Sequence, residues 1–459
     1  MKKILSLAMV SVAVLAGCND SQPEVSKPAV TNDAKALAAS YQSITDVELA
    51  DHVKVLASDK FGGRSPSTEG EKLTLDYLTK EFKALGFEPG NGDSYFQEVP
   101  LVSIEASPDM TLSIGGKDYQ YGTDMVMGSS QIVEEIGIKD SPLVFVGYGV
   151  NAPEYNWNDY EGIDVKGKTV VILVNDPGYA NKDPKQFTGE AMTYYGRWTY
   201  KYEEASRQGA AGAIIVHETA PASYGWNVVK NSWSGEQFGF QRDDLNKDRV
   251  NVEGWVSSDI AKELFTKAGL DFDAAKKEAA KGAYHVAMGD LTASVDVKNT
   301  IKTSVSNNFI ATLPGRTKAD EHIIYTAHWD HLGTDKSLDG DQIYNGAVDN
   351  ATGTAALIEV AEAFAKLPVR PDRSITMLAV TAEEQGLLGS KFYAANPIIA
   401  PAKTVADINM DALDVVGRRA DVAVYGLGQS ELDNFLEAAV EKQGRVISGD
   451  PRPAAGIYY

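Results

Sequence analysis

The chain has 459 residues, with 43 Lys and Arg against 64 Asp and Glu, 6 His and 1 Cys. With 43% apolar and 23% charged residues it has ordinary globular usage, which excludes a disordered, fibrous or coiled-coil protein. A formal charge of −21 argues against a nucleic-acid partner, since phosphate backbones need a basic footprint, and the single cysteine excludes a disulfide scaffold. At about 150 residues per domain, the length accommodates roughly two or three.

Lys2 and Lys3 precede an apolar run from Ile4 to Ala16. Residues 1–17 therefore read as an export signal, too short to span a bilayer comfortably. The run ends Leu15-Ala16-Gly17-Cys18, which resembles a lipobox. That reading makes Cys18 the lipidated first residue of the mature chain, where the alternative is a plain signal with an incidental cysteine. Residues 18–33 are polar, contain two prolines and read as a flexible tether. The expectation is a cell-envelope lipoprotein held to the membrane by its lipid alone. Asn19 after Cys18 points to the periplasmic side of the outer membrane.

From Ala34 to about Leu85 the pattern is helical, with Leu75, Leu78, Phe82 and Leu85 at steps of three and four and Gly86 as a stop. The turn-rich run Phe61-Gly62-Gly63-Arg64-Ser65-Pro66 interrupts it. Between 135 and 290 the character changes. Short β-type runs at Leu143–Val146, Thr169–Val174 and Ala213–Val216 are separated by long loops, and Tyr202–Gln208 reads as a helix. Aromatics crowd this part, including Tyr194, Trp198, Tyr202, Trp233 and Phe238; packing of its own core is the favoured reading, a wall over an active site the other. Beyond residue 305, strands at Ile323–Ala327, Ile375–Thr381 and Val405–Asn409 alternate with helices at Thr352–Leu367 and Glu384–Ala395. This predicts an α/β fold, a mixed and largely parallel sheet flanked by helices.

The strands of that last part end in residues of one chemical kind. The first ends in His328-Trp329-Asp330-His331, and the loop Asn345-Gly346-Ala347-Val348-Asp349-Asn350 follows. The second ends in Glu383-Glu384, the third in Asn409-Met410-Asp411. Open α/β sheets bind ligands at the carboxyl ends of their strands, so these groups converge on one crevice. Crowded carboxylates resist ionisation unless a cation joins them. Singly, each has a bland reading: Asp349 as an N-cap, Glu383-Glu384 as a solvated helix start, His331 as a surface or supporting group. Together they point to a metal centre, and imidazole with carboxylates and no thiolate fits zinc. The adjacent glutamates suggest divided labour, one binding metal while the other takes a proton.

These four motifs, with Leu56-Ala57-Ser58-Asp59 through Arg64 and Gly70 to Gly86, resemble the M28 family of zinc aminopeptidases. The run Gly209-Ala210-Ala211-Gly212-Ala213-Ile214-Ile215-Val216 and the strand before it resemble the protease-associated domain inserted in exported peptidases. The resemblance implies a catalytic domain from 34–134 and 291–459 and a β-rich insert at 135–290. It implies two zinc ions, with His328 and Asp411 on one, Glu384 on the other and Asp349 bridging. Glu383 would be the general base, and Asp330 would fix the ring of His328. The implied reaction is removal of N-terminal residues from peptides.

One departure matters. That family completes its second zinc with a histidine in a later Ser-Asp-His-like run, and His52, His217, His285, His322 and His331 do not match that position. The sequence closes at Ala455-Gly456-Ile457-Tyr458-Tyr459, so the resemblance implies a C-terminally incomplete domain. Two protein ligands would remain at the Glu384 site, and the sheet would carry an exposed edge. Two alternatives follow: a single-zinc glutaminyl cyclase type of acyltransferase, and a catalytically silent binding module.

Overall fold

The computed structural model describes residues 32–449 other than 425, 426 and 429. The signal at 1–17, Cys18 and nearly all of the tether lie outside the described residues, as do residues 450–459. No helix among the described residues is long and apolar enough to cross a membrane.

One strand organises the molecule. Val286–Leu313 runs for 28 residues, pairing antiparallel with Glu135–Phe145 over its first half and with Phe96–Ala106 and Arg373–Val380 over its second. It joins two bodies into one 14-stranded mixed sheet. In the C-terminal body, Lys318–His328 lies between Arg373–Val380 and Thr404–Asn409, parallel to both. The register sets His328 beside Val380 and Thr326 beside Asn409, so three strands finish at one edge. That shared finish positions the site.

The core of this body is apolar for reasons already visible in the helical periodicity. Leu75, Leu78 and Phe82 of helix Glu69–Ala84 pack with Phe309, Trp329 and Met377 of the sheet and Leu357 and Ala361 of helix Thr352–Ala365. Burying each large side chain contributes about 1.5–3 kcal/mol. Thr404–Asn409 pairs with a single neighbour among the described residues and leaves Val405 and Ile408 exposed.

The second body has parallel strands Glu135–Phe145, Thr169–Leu173, Gly212–His217 and Val252–Ser257, with Met125–Gly128 antiparallel at the end. Every residue of Thr169–Leu173 and of Gly212–His217 is buried, as continuous apolar runs covered on both faces should be. Its core also takes in Leu112, Ile114, Met125 and Met127, which the sequence reading assigned to the catalytic part. Their alternation along short strands seats them here. The aromatics divide. Tyr200 and Tyr202 are buried in this body, whereas Phe238 and Phe240 lie on a strand, Glu236–Phe240, that pairs with Phe96–Ala106 and packs against Val99 and Leu101.

Candidate metal centre

His328 closes its strand with its ring nearly fully buried, its carbonyl accepting from Thr354 Oγ1 at 2.9 Å. Asp349 arrives on the loop before helix Thr352–Ala365. That loop approaches closely at Gly346 (φ +59°), where a Cβ would stand 2.5 Å from His331 Cγ and 2.6 Å from Arg64 Nη2; only glycine fits. Buried Asn350 ties two ligand loops together. Its Nδ2 donates to the Met410 carbonyl at 3.0 Å, and its Oδ1 accepts from the N–H groups of Gly353 and Ala412 at 2.9 and 3.2 Å. Asp349 and Asp411 are thereby held next to each other.

The Glu383-Glu384 pair sits in a turn rather than in the first turn of the following helix, which begins only at Leu388. Left-handed backbone at Ala382 and Leu387 breaks the expected start at Glu384. The Asp330 carboxylate, fully buried, accepts the N–H groups of Glu383 at 3.0 Å and Glu384 at 3.4 Å. Its expected bond to the far nitrogen of His328 is not made directly. His328 Nδ1 lies 3.8 Å from Asp330 Oδ1 and 3.2 Å from the Asp330 carbonyl oxygen, so the side chain serves the glutamate turn first.

Two donor sets result. His328 Nε2 stands 3.0 Å from Asp349 Oδ1 and 3.2 Å from Asp411 Oδ1, and Glu383 Oε2 lies at 3.9 Å. In the second set, His331, Asp349 and Glu384 gather, with His331 Nδ1 2.5 Å from Glu384 Oε1. Within each set the ligand atoms lie within 4.8 Å of one another. Asp349 belongs to both. His328, Asp349, Glu384 and Asp411 are thus brought to one place, and His331 joins them as a third donor where two were expected. Imidazoles and carboxylates without thiolate suit a zinc-sized divalent ion.

The crowding of these groups shifts their proton affinities. Burial pulls the His328 ring down, yet Asp330, Glu383, Asp411 and Asp349 around it outweigh burial and its pKa lies above the usual value. Burial pushes Asp330 up to about 7. Glu383 is raised, by burial first and then by neighbouring carboxylates, while the pull of His331 and Arg64 on Glu384 exceeds its burial and lowers it.

The sequence reading also missed a role for Arg64. Fully buried, it donates to the carbonyls of Leu56, Trp329, Asn345 and Gly346 at 2.7–2.9 Å, lashing the N-terminal turn to the ends of two site elements. The motif Phe61-Gly62-Gly63-Arg64 was the only signal for it.

The fold is a mixed α/β sheet whose strand ends carry two donor sets of a kind that could hold divalent ions. Residues 308–459 match the model described as Peptidase family M28. A probable glutamate carboxypeptidase of Arabidopsis thaliana, AMP1, is 24% identical over 370 residues, 76% of this chain and 49% of that protein. Aminopeptidase NAALADL1 of Mus musculus is 32% identical over 122 residues, 26% of this chain and 15% of that protein. The chain thus spans about half the length of the first of these curated relatives and less of the second. Among solved structures, an aminopeptidase from Aneurinibacillus sp. strain AM-1 has the same fold, with TM-score 0.50 and 19% identity over 89% of this chain and 80% of that one.

Proposed function

We propose that this protein is a two-zinc aminopeptidase, with peptides bearing a free N-terminus as substrates. The membership of Asp349 in both donor sets carries the reading, because a shared carboxylate is what lets two ions act on one bond. His328 and Asp411 would hold one ion, His331 and Glu384 the other. Zinc bound there supplies Lewis acidity, polarising a peptide carbonyl and easing loss of a proton from water. Glu383, raised in pKa and 3.9 Å from His328 Nε2, takes that proton and returns it to the leaving amine. Asp330 holds the Glu383 backbone so that its carboxylate stays aimed. Half-exposed Asp349 and Asp411 leave the mouth open for the substrate amine.

Metal analysis with release of amino acid from an aminoacyl anilide tests the proposal. Two zincs with release support it. One zinc with ring closure of N-terminal Gln favours a glutaminyl cyclase, and neither favours a silent binding module. We propose further that the second body is a protease-associated insert, and that the protein is exported and anchored through Cys18. Labelled palmitate incorporated by the wild type and absent from Cys18→Ala would support the anchor; equal labelling of both would overturn it.

A further inference from the structure

Helix Asp46–Leu56 lies against helix Thr352–Ala365, the helix that leaves the Asp349 loop. Glu359 and Glu362, three residues apart, share one face of the longer helix, and Glu48 stands in the first turn of the shorter one. One oxygen from each of the three lies within 4.8 Å of the other two. Carboxylates gathered this closely repel one another unless something positive joins them.

Ordinary tasks account for part of this cluster. Thr45 caps the shorter helix, its Oγ1 accepting the Glu48 N–H at 3.1 Å and donating to Glu48 Oε2 at 2.9 Å. Lys366 pairs with Glu362 one turn along the longer helix. The Thr45 N–H donates to Glu359 Oε2 at 3.1 Å. Glu359 Oε1 is left over. The side chain is 1% exposed, and this oxygen has no hydrogen-bond partner among the described residues. His52 Nε2 stands 3.6 Å from it, too far for a hydrogen bond, while Tyr77 Oη holds the other ring nitrogen at 2.6 Å. A buried carboxylate oxygen without a partner is costly, so it marks the place of a missing one. Burial first, then Glu48 and Glu362, raise the pKa of Glu359, which is the strain that a bound cation would relieve.

We propose that Glu48, Glu359 and Glu362 form a cation site apart from the metal centre, filled by a hard divalent ion of the calcium type. The donors are carboxylate oxygens, and calcium takes six to eight oxygens at about 2.3–2.6 Å, so that opposite ligands stand about 5 Å apart. The spacing of the three groups fits that shell. Glu48 is exposed and Glu362 partly so, which lets the ion enter and water complete its coordination. The ion clips two helices together. At the other end of the same pair, Leu56 packs with Ala351, and its carbonyl accepts from Arg64. The site therefore braces, from the solvent end, the helix whose start carries the Asp349 loop. None of this depends on the peptidase reading.

The test is calorimetric titration of the zinc-loaded protein, dialysed free of calcium, with calcium chloride, zinc content being followed throughout. The expected result is one calcium ion per chain, a higher melting midpoint and unchanged zinc. Glu48→Gln and Glu362→Gln should each weaken calcium binding at least tenfold, since affinity at such sites follows the number of ligand charges. Lys366→Met, which frees Glu362 from its partner, should tighten binding severalfold and so gives a reading even where the glutamate variants fold poorly. No uptake at about 10 mM calcium, beyond the weakest range of extracellular calcium modules, overturns the site. So does calcium that enters only as zinc is lost, or an affinity that none of the three variants moves.

Discussion

Glu383 and Glu384 are chemically identical neighbours, and their surroundings drive them apart. Burial and nearby carboxylates favour the protonated form of Glu383, whereas His331 and Arg64 favour the charged form of Glu384. The base and the ligand of the proposed reaction would thereby be separated by environment alone. Glu383→Gln should keep its metal by elemental analysis yet lose about 10²–10⁴-fold in turnover of an aminoacyl anilide. Loss of zinc with residual activity would reverse that assignment. Asp349→Asn should lower occupancy of both ions, because its carboxylate serves both sets, whereas His331→Ala should lower one. Zinc titration of the two variants separates a shared from an unshared donor. His328 adds a pH dependence whose sign follows from its raised pKa. In the metal-free protein its ring holds its proton to a higher pH than an ordinary imidazole, and zinc must displace that proton. Zinc affinity measured by competition should therefore be level at high pH and fall about tenfold per unit once pH drops below that raised value. A fall beginning only well below 6.5 would contradict it.

At the scale of elements, the ligand-bearing ends are held by polar side chains that reach across long stretches of chain. Arg64 bonds carbonyls at Trp329 and Gly346, 265 and 282 residues away in sequence. Arg64→Met should strand four carbonyl acceptors inside the body and cost about 2–5 kcal/mol, read as a lowered denaturant midpoint. Zinc content should fall with it as the 345–349 loop loosens. A fully stable, fully metallated variant would show that packing alone holds the loop. The same distance explains what was legible in the sequence. Strands Lys318–His328 and Arg373–Val380, with their terminal His and Glu, could be read because apolar runs and strand-end chemistry are local signals. His331 and Arg64 could not, since their roles exist only after loops distant in the chain meet. The helix expected from Glu384 starts four residues later, because the turn that presents the glutamates needs left-handed backbone at Ala382 and Leu387.

The whole molecule is two bodies strung on one strand. Val286–Leu313 escaped the sequence reading because its exposed Asp, Lys and Thr positions interrupt any apolar run, and its two halves face different partners. The limits of the second core were hidden for the same reason: Leu112 and Met127 are joined to it by pairing and packing, without a run of their own. This architecture bears on how metal stabilises the protein. All the donors of the two sets lie in the C-terminal body, and ions bound to the folded state alone stabilise it by about 2.7 kcal/mol at a hundredfold excess over Kd. In two independent domains, a chelator would lower one melting transition and spare the other. Here the same strand pairs over eight residues with Glu135–Phe145 and over five with Arg373–Val380, so neither body can melt without freeing an edge of the other. Scanning calorimetry should therefore give one transition that moves down by a few degrees with chelator and returns with zinc. Two peaks, of which only one responds, would mean that the shared strand breaks in the middle and that the bodies are thermodynamically separate.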